Sequence, residues 1–185
     1  MSETRISADK VGAYTATDYR LGHTTQDIVL APGLRSGRLA ELFASKSVTC
    51  GAFLTAFNPL GTQKSDTEND QAHDQLATVL TDLGLEFIGG SGSEEGTHWP
   101  AEKSLFALNL SREGAVSIGR QFEQDAIVWV GDSAVPELVL LRQLNGLADP
   151  NGRGDLIRIA APDTSSNAAK QEITYAFHRP GQRGL

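Results

Sequence analysis

A chain of 185 residues with 39% hydrophobic and 21% charged residues can close one core that buries about two-thirds of the unfolded surface, which excludes a disordered or fibrous polymer. The formal net charge of −7 is uneven: from Arg153 onward five Lys or Arg face three Asp or Glu, whereas eleven face twenty before it. An acidic body argues against nucleic acid, whose phosphate backbone needs clustered cations; no apolar run approaches a bilayer span; and a single cysteine, Cys50, excludes an intrachain disulfide.

The first ten residues lack the apolar segment of a secretory signal, which predicts a cytoplasmic protein with a polar lead-in. Residues 12–21 are rich in Thr and Tyr and predict a strand, with 27–30 as its hairpin partner. Ala31-Pro32-Gly33 breaks the sheet. Ser36 is placed to cap a helix ending near Lys46, in which Leu39, Leu42 and Phe43 keep helical spacing.

Residues 50–57 are apolar almost throughout, as in a strand covered on both faces, and Cys50 reads as a small hydrophobe of that strand. Pro59 ends it, because proline donates no ladder hydrogen bond. Ser65-Asp66-Thr67-Glu68 has the form of a capping box opening a second helix. At 100° per residue Ala72, Leu76, Val79, Leu80 and Leu83 share one arc, with Asp66, Asp70 and Asp74 as a solvated stripe opposite, and Gly84 closes the helix.

Residues 86–89 predict a short strand, 90–100 a Gly/Ser/Glu-rich loop, and 104–110 a second strand buried on both sides. Ser111 caps a third helix, in which Ala115, Ile118 and Phe122 share a face with Gly119, small enough for a sheet to approach closely. Residues 126–130 and 136–141 are two more strands across a Gly131-Asp132-Ser133 turn. Residues 145–154 form a Gly, Pro and Asn-rich linker, and 156–160 and 172–178 predict strands on either side of a polar stretch. The expected fold is α+β: a mixed or antiparallel sheet with three packed helices, in the order ββαβαββαββ, plus a C-terminal β extension. The expected organisation is an α+β domain over 1–144 and a loop-rich extension over 145–185 packed on it.

Three places could carry chemistry. Asn69 falls between Leu76 and Leu80 on the core-facing arc, beside the loop begun by Asn58. A buried unpaired amide costs about 1–3 kcal/mol, so Asn69 needs either a protein partner, which would brace the loop, or a ligand. His73 lies at the edge of the same arc. Lys64 at the helix start offers an anion site only in competition with the capping box. The second place is the loop of Glu94, Glu95, His98, Trp99 and Glu102, where carboxylates and an imidazole suit acid/base work and the indole suits stacking or anchoring. Histidine spacing gives no metal site, and no cofactor fingerprint occurs. The third is Gln124-Asp125, between the third helix and the strand after it.

Five stretches of this chain are similar to a bacterial family known only as domain of unknown function 3293. They are Ala13-Tyr-Thr-Ala-Thr-Asp-Tyr-Arg, Ala52-Phe-Leu-Thr-Ala-Phe-Asn58-Pro59, residues 65–69, Trp99-Pro-Ala-Glu102-Lys-Ser104-Leu, and Gly119-Arg-Gln-Phe122-Glu-Gln124-Asp-Ala-Ile-Val-Trp129. The resemblance covers about residues 13–141. Phe57 stands where the family has Trp, and Glu123-Gln124-Asp125 where it has Gly-Gln-Asn. It brings no activity, but implies that its motif positions Asn58, Asn69, Trp99, Glu102 and Gln124 gather at one place.

The expected function is therefore a module that binds a small polar or planar ligand at loop ends, with those five residues as its candidates. An enzyme using Glu102 as acid/base is the alternative, as hydrolase or group transferase. A third reading is an acidic interaction module, with a protein partner or second copy engaged through residues 145–185.

Overall fold

The computed structural model describes residues 5–22, 27–93 and 101–143, together with the backbone of two short strands at Ile157–Ile159 and Tyr175–Phe177. The α+β expectation holds, but residues 12–16, whose composition predicts strand, belong to the first described helix. Helix α1 spans Ala8–Ala16, capped by Ser7, whose side chain accepts from the Lys10 amide. The Thr and Tyr content of residues 12–16 favours strand, yet Val11 is fully buried on this helix, and Thr15 Oγ1 donates to the Val11 carbonyl one turn back. Tertiary burial overrides a propensity worth only tenths of a kcal/mol per residue.

After α1 come strands β1 (Asp18–Leu21) and β2 (Ile28–Leu30), helix α2 (Gly37–Lys46), strand β3 (Gly51–Thr55) and a 3₁₀ turn at Pro59–Gly61. Helix α3 (Asp66–Asp82), strands β4 (Phe87–Ser93) and β5 (Glu102–Leu108), helix α4 (Arg112–Gln121) and strands β6 (Ala126–Val130) and β7 (Pro136–Leu140) follow. The segments Ile157–Ile159 and Tyr175–Phe177 are β8 and β9. Four helices among the described residues thus replace the expected three, and β4 takes in Gly90 to Ser93, part of the expected Gly/Ser/Glu-rich loop. The linker at 145–154 and the polar stretch at 161–170 lie outside the described residues.

All the strands pair antiparallel in one sheet, ordered β2-β1-β4-β5-β3-β6-β7-β8-β9. Central β3 lies between β5 and β6, with Phe53 opposite both Phe106 and Val128. Because successive side chains point to opposite faces, β3 divides its residues between two cores. Phe53 joins Val11, Leu39, Phe43, Phe106 and Val128 under α1 and α2. Ala52 and Leu54 join Leu76, Leu80, Ala115 and Ile118 under α3 and α4.

The expected caps are present: Ser36 on α2, Ser111 on α4, and the Ser65–Glu68 box on α3. Gly119 lets α4 lie close to the sheet, since a Cβ there would fall 2.5 Å from Leu141 Cδ1 and 2.7 Å from Ile127 Cγ2. Leu83 departs from the predicted arc; it is the C-cap of α3 and 59% exposed, because the helix ends before that position reaches the sheet. Cys50 lies just before β3 and is only half-buried, and burial pushes its thiol pKa up. No described helix is long and apolar enough to cross a membrane.

Candidate functional site

The loop from β3 to α3 is built on left-handed backbone. Asn58 has φ 49°, Leu60 φ 57° and Gly61 φ 65°. Asn tolerates this region through its short polar side chain, but Leu does not, so Leu60 stores strain of about 1–2 kcal/mol. Its amide is tied 2.8 Å from the carbonyl of Glu123, itself at φ 52°. Two strained loops, 58–61 and 122–125, are thereby locked side by side, and strain of this kind concentrates at binding sites.

Asn69 is 5% exposed and has a protein partner. Its Oδ1 accepts from the Asn58 amide at 2.9 Å, and its Nδ2 donates to Asn58 Oδ1 at 3.1 Å. Asn58 Oδ1 also accepts from the Lys64 amide at 3.0 Å, while Asn58 Nδ2 reaches across to Glu102 Oε1 at 2.7 Å. The bracing role of Asn69 is therefore the one realised, and its partner Asn58 carries the network out to Glu102. Gln124 completes the joint: its Nε2 donates to the carbonyls of Phe57 (3.1 Å) and Phe122 (3.0 Å).

Asn58, Glu102 and Gln124 lie together on the wall of a cavity of about 440 Å³ beneath α1. Strand alternation explains its lining: Phe53 and Thr55 on β3, Glu102 and Ser104 on β5, and Ala126 and Val128 on β6 all face α1 from one end of the sheet. Asn69 sits behind this wall rather than on it. Trp99, with Glu94, Glu95 and His98, lies outside the described residues. His73 is not on the wall either. Its ring meets Phe57 edge-on at 6.2 Å, its Nδ1 is buried without a hydrogen-bond partner among the described residues, and burial lowers its pKa.

The other half of the site comes from α1 and β1, whose residues 12–16 read as strand from composition. Lys10, Ala13 and Tyr14 on that helix and Tyr19 on β1 line the cavity. Asp125, whose side chain is 1% exposed, forms ion pairs with Lys10 and Arg142 and accepts from Tyr14 OH at 3.1 Å. Burial opposes its ionisation, but hydrogen bonds and positive charge from Lys10 and Arg142 outweigh that and hold its carboxyl below the usual range. Gly61 makes room for this pairing, since a Cβ there would collide with Lys10 Nζ. One signal was available: Ser7-Ala-Asp9-Lys10 is a capping residue followed by an acidic first turn.

Residues 54–127 match the family described as Protein of unknown function (DUF3293). The resemblance thus stands for a segment running from β3 into β6, which carries Asn58, Asn69, Glu102 and Gln124. The flanks read from the sequence as similar, back to residue 13 and on to 141, lie beyond the DUF3293 match, so Lys10, Tyr14 and Tyr19 come from outside it. No curated protein and no solved structure matches the chain. Among the described residues no group of three His, Cys, Asp or Glu is placed to hold a metal ion.

Proposed function

We propose that the protein binds a small polar or planar ligand in the cavity beneath α1. The observation that supports this reading is the meeting of Asn58, Glu102 and Gln124 on one wall of a space of about 440 Å³, within the volume range of small-molecule sites. Aromatic side chains of Tyr14, Tyr19, Phe53 and Phe57 join Val128 and Leu138 in the apolar lining, the mixture that holds a ligand body while a few polar groups set its orientation. A compound screen read by thermal shift tests it. Hits should raise the melting temperature of the wild type and lose that effect in Phe57→Ala and in Glu102→Ala; hits indifferent to both substitutions sink the reading.

A hydrolase or group transferase with Glu102 as acid/base is the second reading, favoured by the 2.7 Å hydrogen bond that fixes this carboxylate on the cavity wall. Turnover of a bound hit by the wild type, with Glu102→Gln still binding it but inert, would establish the enzyme over the binding module.

A further inference from the structure

Phe57 lines the cavity and also meets α3. Its backbone is pinned on both sides: the amide donates to Thr55 Oγ1 at 3.1 Å, and the carbonyl accepts from Gln124 Nε2 at 3.1 Å. The next amide, that of Asn58, is fixed by Asn69 Oδ1. The ring is held differently. Half-buried, it packs against the ring of His73 on α3, with centroids 6.2 Å apart and planes at 90°. A residue outside the cavity thus supports one of its walls.

His73 is suited to that place only while it is neutral. Its Nδ1 is buried and has no hydrogen-bond partner among the described residues. A neutral imidazole tolerates this, with its proton on Nε2 and Nδ1 an unused acceptor. The imidazolium carries protons on both nitrogens, and a buried N–H of a cation without an acceptor is costly. The charges around the ring leave that cost in place. Asp70 and Asp74, on α3 itself, favour the cation, but Asp70 is paired at 2.6 Å with Lys103 of β5, and Lys103 opposes it. Glu102, next along β5, lines the cavity on the other face of the sheet, and Phe57, from the β3–α3 loop, brings no charge. Burial first, and then Lys103, lowers the His73 pKa from its ordinary 6.5.

We infer that His73 acts through Phe57 as a pH-sensitive support of the cavity wall, so that ligand binding weakens in acid; the inference rests on the binding reading above. The neutral ring packs on Phe57 and keeps that wall in its binding shape. Once protonated, His73 reaches water for Nδ1 by swinging away from Phe57, whose ring loses its support while its backbone stays pinned. Affinity then falls. By linkage, a ligand that needs Phe57 in place weakens proton binding at His73 by the same factor. Stability has the same sign: the folded pKa lies below 6.5, so the contribution of His73 is complete above that value and is lost as pH falls through the lower folded value.

The test uses the full chain and toluene, an aromatic probe with no titrating group of its own. Ring NMR signals of His73 and Phe57 are followed between about pH 8 and about pH 5, the range in which histidines change charge, and toluene affinity is measured at both ends. His73 should titrate below 6.5, the Phe57 signals should move with it, and toluene should bind about fivefold more weakly at the acid end. His73→Leu, which keeps an apolar contact with Phe57, and His73→Gln, which keeps a polar side chain, cannot titrate and should bind toluene equally at both ends. Acid weakening that persists in either variant when it is folded by circular dichroism, Phe57 signals indifferent to His73, or a His73 that titrates at or above 6.5 overturns the inference and leaves the cavity as a binding site. Failure of toluene and of every screened compound to bind at the alkaline end overturns the binding reading instead.

Discussion

The two faces of the sheet are made by the same strands and are finished differently. Under α3 and α4 the inward residues of β3, β5 and β6 are Ala52, Leu54, Leu105, Ala107 and Ile127, all at most 5% exposed, and Gly119 draws α4 into contact with them. Under α1, one residue along each strand, the inward positions at the sheet end are Thr55, Glu102, Ser104 and Ala126 beside the cavity. The α3 and α4 face is a close-packed core. The α1 face is closed by a nine-residue helix held by the buried Val11 and by polar contacts around Asp125, and it keeps a space. A period of two along a strand thus lets one set of backbone hydrogen bonds support a core on one side and a polar site on the other.

Substitutions should separate the two faces. The largest effect is expected from Leu80→Ala on the closed face: Leu80 is fully buried, so its truncation should cost about 2–5 kcal/mol in a denaturant titration while binding of screened hits in the cavity is retained. On the open face Asp125→Asn, which removes the buried carboxylate that pairs with Lys10 and Arg142, should cost about 3 kcal/mol and reduce binding as well, because α1 loses its anchor. The same carboxylate sets an acid limit. Its folded pKa lies below the ordinary 3.8, so its contribution to stability is complete above that value and is lost as pH falls through the lower folded value. Melting temperatures below pH 4 should therefore fall less steeply in Asp125→Asn than in the wild type. The smallest effect belongs to Tyr14→Phe, which removes one hydrogen bond to Asp125 and should cost about 1 kcal/mol by denaturation, with α1 still in place. Equal losses of binding in Leu80→Ala and Asp125→Asn would erase the distinction between the faces.

Much of the closed face was legible because its signals are local. The Ser65–Glu68 box, the arc of Leu76 and Leu80, and Gly119 beside apolar positions each follow from spacing within one element. Asn69 was legible as an anomaly, a polar residue on an apolar arc, but whether it met a ligand or Asn58 depended on a loop eleven residues away. The open face was hardly legible. Thr and Tyr in residues 12–16 favour a strand in isolation, and Asp125, next to the highlighted Gln124, gave no sign that its partners were Lys10 and Arg142.

The sequence by itself determined the α+β class and the caps of α2, α3 and α4, because caps, periodicity and proline breaks act over one or two turns of chain. Tertiary structure alone decided that residues 8–16 are a helix, that this helix crosses the sheet end, and that Lys10 meets Asp125 across 115 positions of sequence. The physical reason is that burial of Val11 and pairing of a buried carboxylate are long-range terms of several kcal/mol, large enough to override local preferences of tenths.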